Sequence, residues 1–185
     1  MKKVLLATNS EFGQSNVFLA AGHALQSLDA DVEIHFASFA GISGSVSAAS
    51  QYSVRCSRGA RPWTFHELAG PHYFAAITSE GRYGDHLWDV LGRRPSFFNT
   101  IEVLKMTMTL MLPWSAPEFI QVHQSLVQVV EQIQPDVIVV DSLFSPALTA
   151  CRSLNVKHVV LSPNTLKDFS AALQPWGAMF WKFPV

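Results

Sequence analysis

Asp141 closes the apolar run Val137-Ile138-Val139-Val140, which puts a carboxylate at the end of a segment patterned as a strand buried on both faces. A carboxylate in that position can accept a hydrogen bond and raise the basicity of a partner, usually a histidine. It can equally cap the helix that follows. The chain has seven histidines, but none stands at a local spacing from an aspartate that demands a catalytic dyad. His23 projects away from the apolar stripe of its helix and is expected in solvent. His35 falls on the polar side of an alternating segment. The loop after the first apolar run, Thr8 to Asn16, joins a strand to a helix and invites a nucleotide-binding reading. It contains neither G-x-G-x-x-G nor G-x-x-x-x-G-K, and Gly13 stands alone. G-x-S-x-G and H-E-x-x-H are also missing. Cys56 and Cys151 are far apart, so neither a zinc site nor a disulfide framework is expected.

The elements that must position these residues follow from periodicity. Lys3 to Ala7 is patterned as a strand. A helix follows, with Ser15 or Asn16 as its cap and Val17, Ala20, Ala21, Ala24, Leu25 and Leu28 as one apolar stripe. Val32 to Phe36 alternates as a strand, completing a βαβ unit. Gly41 to Ser50 is rich in Gly, Ser and Ala and reads as a mobile loop, and Trp63 to Leu68 as a further strand. Residues 70–95 carry little pattern beyond a short helix around Asp85 to Leu91, while Phe97 to Leu112 reads as helical. Ser115-Ala116-Pro117-Glu118 is a capping box with proline in the first turn, opening a helix whose buried stripe is Phe119, Val122, Leu126, Val130 and Ile133. Pro135-Asp136 ends that helix. After Asp141 come a helix over Pro146 to Leu154 and a buried strand over His158 to Leu161. The outcome is an α/β, Rossmann-like parallel sheet with helices on both faces. Ligands of such sheets lie beyond the carboxyl ends of the strands. The loops Thr8 to Asn16, Asp141 to Ser145 and Ser162 to Thr165 should therefore line one crevice.

Composition bounds the partners. The 185 residues make one domain, 49% hydrophobic and only 15% charged, which fits a large buried fraction or a face left for something else to cover. A formal net charge of -1 and the lack of a basic run give no reason to expect nucleic acid. Val4 to Ala7 is too short for a signal peptide's apolar core, so the cytoplasm is the expected compartment, free or at a membrane periphery. Leu104 to Trp114 is too short and too polar to span a bilayer, so no transmembrane segment is expected.

Three segments together, Val4 through Ala20, Pro135-Asp136-Val137-Ile138-Val139-Val140-Asp141-Ser142 and Val159-Val160-Leu161-Ser162-Pro163-Asn164-Thr165, resemble the N-terminal half of UDP-glycosyltransferases. The likeness is to the fungal branch that glycosylates small lipophilic acceptors of secondary metabolism. The resemblance implies a GT-B architecture, two Rossmann-like domains facing across a cleft, of which residues 1–185 form the acceptor-binding domain. The C-terminal UDP-sugar-binding domain, with its Gly-rich nucleotide grip, has no counterpart here. The resemblance thus implies a truncated chain, incomplete or inactive alone, with the missing donor domain or a partner subunit as its complement. It also accounts for the sparse charge.

The family's chemistry is an inverting transfer in which a loop histidine takes the acceptor's proton and an aspartate orients that histidine. Asp141 matches the aspartate, whereas Gln14 stands at the histidine's position. A carboxamide is no general base, and loss of a positioned base costs about two to four orders of magnitude in rate. Either Asp141 acts directly, another group such as Glu11 substitutes, or the lineage does not catalyse by that route. Gln14 could still hydrogen-bond an acceptor hydroxyl. The resemblance assigns acceptor binding to Phe12, Gly13, Gln14, Ser142 and Asn164, with no metal and no cofactor. A UDP-sugar would be co-substrate only if a donor domain is supplied. Phe97, Phe98, Met106, Met108 and Met111 could line an apolar acceptor pocket, or form ordinary core. Two further functions stay open: a non-catalytic binder of lipophilic small molecules, and the acceptor subunit of a split glycosyltransferase.

Overall fold

Short runs of Val, Ile, Leu and Phe between polar turns favour buried strands, and such runs at the centre of the sheet pair in parallel with more exposed strands at its edges. In a computed structural model, which describes residues 2–79 and 112–163 with positions 89, 92, 94, 96, 98, 99 and 101 between them, the strands are β1 (Lys3–Ala7), β2 (Glu33–Ser38), β3 (Thr64–Glu67), β4 (Val137–Asp141) and β5 (His158–Leu161). Their order is β3-β2-β1-β4-β5, every neighbouring pair parallel. Strand order therefore reverses between β1 and β4, the topological switch point of a Rossmann-like sheet.

Helices cover both faces. On one side α1 (Phe12–Leu28) and α2 (Ser43–Cys56), the latter preceded by a 3-10 turn at Ala40–Ile42, enclose Leu6, Phe18, Ile34, Phe36, Val46 and Trp63. On the other, α4 (Ala116–Ile133) and α5 (Ser145–Ser153) pack Val122, Leu126, Ala147 and Ala150 against Leu5, Ala37, Ile138 and Val140. A short α3 (Tyr73–Thr78) follows β3, in a stretch where the sequence carried little pattern. The capping box at Ser115 and Glu118 forms as expected, and Val122, Leu126, Val130 and Ile133 are buried with Phe119 half-buried.

Several expectations are corrected. Helix α1 starts at Phe12 with Glu11 as N-cap, so Ser15 and Asn16 lie inside it, and Ser15 Oγ donates to the Glu11 carbonyl at 2.9 Å. Its buried face is Ser15, Phe18, Gly22 and Gln26 rather than the Val17-to-Leu28 stripe, and Leu28 is 86% exposed. Two contacts turn the helix that way. Gly22 admits the Trp63 ring and Leu6, and Gln26 accepts a 2.7 Å hydrogen bond from Trp63 Nε1 while donating to the Arg61 carbonyl. The supposed mobile loop over Gly41 to Ser50 is helical, because Ile42, Val46, Ser50 and Ser53 fall on one buried face and Ser50 Oγ accepts the Trp63 backbone N–H at 2.8 Å. His23 is not simply solvated: Nδ1 lies 3.0 Å from Ser53 Oγ between α1 and α2. His35 is buried, because β2 is covered on both faces; Glu33 Oε1 and His66 Nε2 satisfy its two nitrogens at 3.1 and 2.9 Å. Strand β5 forms but leaves Val159 and Val160 about half exposed, as the last strand of the sheet. Apart from single positions, the expected helices over 85–91 and 97–112 lie outside the described residues. Among the described residues no helix is long and apolar enough to cross a membrane.

Candidate functional site

Because β1 and β4 are adjacent and parallel, Thr8 and Asp141 meet at the carboxyl edge of the sheet. Thr8 Oγ1 donates to Asp141 Oδ2 at 3.1 Å, and the Leu143 backbone N–H donates to Oδ1 at 3.0 Å. Asp141 is fully buried. Burial pushes its carboxyl above the usual carboxylate range, while hydrogen bonds from Leu143, Thr8 and the Asn9 backbone pull it back part of the way. Its first hydrogen bonds thus close the turn after β4, and the N-cap of α5 is Phe144 rather than Asp141. Beside this pair, the side-chain amide of Asn9 and the hydroxyl of Ser38 are buried with no hydrogen-bond partner among the described residues. Ser142 Oγ donates to Ser162 Oγ at 2.9 Å, tying the β4 and β5 loops together. The Thr8–Asp141 and Ser142–Ser162 hydrogen bonds bring the three loops together as far as Pro163; Asn164 lies outside the described residues.

The rim belongs to α1. Phe12 is 60% exposed, and space around Gly13 is open. Gln14, in the first turn, is half-buried, and its side chain has no hydrogen-bond partner among the described residues. Glu11 reaches across to the β3–α3 connection. Its Oε1 accepts from His72 Nδ1 and from the Phe74 backbone N–H, each at 3.4 Å. An aromatic shelf lies behind, where Phe39 packs edge-on against His72 and also against Phe144, and Trp114 contacts both Phe144 and Tyr73. Trp114 Nε1 donates to the Pro71 carbonyl at 2.9 Å, holding that connection down. Burial, and secondarily Glu11, push the Tyr73 hydroxyl upward. Of the proposed pocket residues, Phe98 is 79% exposed, and Phe97, Met106, Met108 and Met111 lie outside the described residues. Among the described residues no group of three His, Cys, Asp or Glu could hold a metal ion.

His72, Phe39 and Phe144 went unremarked in the sequence because nothing local links them to residues 8–16. The only usable signal was that each flanks the end of a parallel strand.

No family model matches this chain. It is similar to the glycosyltransferase sdnJ of Sordaria araneosa, 26% identical over 185 residues, which is 98% of this chain and 36% of that protein. Among solved structures it superimposes on the Streptomyces sp. SF2575 glycosyltransferase SsfS6 with a TM-score of 0.57 at 12% identity, covering 88% of this chain and 39% of that one. The glycosyltransferase VinC, solved with dTDP, gives a TM-score of 0.54 at 17% identity over 96% of this chain and 36% of its own. SnogD from Streptomyces nogalater gives 0.55 at 13% identity, covering 88% and 34%. The structural likeness is one of fold: an α/β sheet corresponding to half of a GT-B glycosyltransferase. In sequence the chain is homologous to a glycosyltransferase, and it spans roughly a third of the length of the proteins it matches.

Proposed function

We propose that this chain is the acceptor-binding half of a UDP-glycosyltransferase, holding a small lipophilic alcohol or phenol at the carboxyl edge of β1 and β4 for inverting sugar transfer. The observation that carries this is the Thr8–Asp141 pair at the switch point, in a chain whose homology to a glycosyltransferase runs along 98% of its length. Phe12 and Gly13 offer an open, partly apolar rim, Gln14 offers a carboxamide to an acceptor hydroxyl, and Ser142 stands on the opposite lip, while Asn164 is assigned to the acceptor from the sequence resemblance alone. Asp141 is a positioning residue that fixes the loop after β1 to β4. The sugar arrives as a UDP-sugar on a second Rossmann-like domain, in the same protein or supplied by a partner. The acceptor oxygen attacks the anomeric carbon from the side opposite the diphosphate, the bond to the diphosphate oxygen breaks, and UDP leaves with that electron pair. Calorimetric titration of the chain with umbelliferone and, separately, with UDP tests the division of labour. The phenol should bind with a micromolar to sub-millimolar Kd and UDP should not. UDP binding, or failure to bind any lipophilic phenol, contradicts it.

A further inference from the structure

Six histidines are placed, wholly or in part, by the described residues, and five of them are engaged with partners other than the loop that follows β1. His23 sits between α1 and α2, His35 and His66 satisfy one another inside the sheet, His123 faces Ser153, and His158 Nδ1 lies against the Val156 carbonyl at the other end of β5. His66 lies near the carboxyl end of β3 but is tied to His35, whereas His72 stands beyond the strand ends, beside the loop that follows β1. Its side chain is 45% exposed and that of Glu11 38%, so solvent or ligand reaches both. A carboxylate only accepts hydrogen bonds, so the Nδ1 facing Glu11 must carry the proton. In the neutral ring this leaves Nε2 as a free acceptor. Phe39 packs edge-on against the ring, and the exposed Phe12 and Phe74 belong to the residues adjoining Glu11 and His72.

We propose that His72, oriented by Glu11, is the general base that Gln14 cannot be. The proposal rests on the acceptor-binding role given above and adds to it the catalytic group. The acceptor's O–H proton passes to His72 Nε2 while Nδ1–H stays on Glu11. The oxygen's electron pair forms the bond to the anomeric carbon, UDP departs with the pair of the bond that breaks, and His72 later releases its proton to water. The base thus comes from the β3–α3 connection instead of the β1–α1 loop.

Proton transfer can be read without a sugar donor, using umbelliferone, whose neutral and anionic forms fluoresce under different excitation. At saturation, the bound probe should be more ionised than in buffer at the same pH. His72→Gln should lower the anion-to-neutral ratio of bound probe about tenfold, the equivalent of one unit of probe acidity. Glu11→Gln, at an exposed position outside the core, should lower it in the same direction with His72 still present. A bound probe that is no more ionised than in buffer, or equally ionised in His72→Gln, overturns the base assignment and leaves acceptor binding intact. If the probe does not bind at all, both fall.

Discussion

Asp141 is fully buried yet ionisable, and its surroundings decide the sign of its contribution to stability. Burial raises its pKa in the fold, and the bonds from Leu143, Thr8 and Asn9 only partly oppose this. Between the ordinary carboxylate value, about 3.9, and its raised native value, the folded state therefore holds more protons than the unfolded one. Stability falls as pH rises through that window, and above it the ionised Asp141 weakens the fold. Asp141→Asn keeps an oxygen for the Leu143 N–H and removes the charge. It should raise Tm at pH 7, and the gain should vanish below about pH 4; thermal melts at the two pH values check this. A gain that persists in acid would mean packing, and not charge, sets the difference.

Helix α1 shows how an element can be foreseen while its orientation is not. Its alanines spread apolar character around the helix, so the sequence favours the stripe through Val17, Ala20, Ala21, Ala24, Leu25 and Leu28 as the core face, of which Leu25 does pack against the core. The face that packs is chosen by Gly22 and Gln26, a residue with no side chain and a polar one. A Cβ on Gly22 would lie 2.8 Å from Trp63 Cη2 and 3.1 Å from Leu6 Cδ1. Gly22→Ala should cost about 1–3 kcal/mol by overpacking, read as a lower urea midpoint. Helix α4 was legible because Val122, Leu126, Val130 and Ile133 are large and branched, and a capping box announces its start. Helix α2 was not, because serines occupy two of its buried positions and serve as polar partners there. The site divides in the same way. Strand ends put Thr8, Asp141 and Ser142 together on periodicity alone, whereas the Glu11–His72 contact joins residues 61 apart and needs the fold to exist first.

At the scale of the molecule, sheet order is what links sequence to function. Placing β4 beside β1 brings Thr8, Asn9, Ser38 and Asp141, all fully buried, together beneath the proposed acceptor site at the switch point. Its rim comes from α1 and the β3–α3 connection. The solved glycosyltransferases that share this fold use between two and three times as much chain, which fits one half of a GT-B architecture. A competing surface exists in the shallow groove lined by Ser50, Val54, Arg55 and Pro62 beside α2, remote from the switch point in the chain's topology. Amide chemical-shift mapping of the chain with bound umbelliferone chooses between them. The account predicts perturbations concentrated in residues 8–15, 71–74 and 141–145. Shifts confined to the Ser50–Arg55 groove, with residues 8–15 silent, would contradict it.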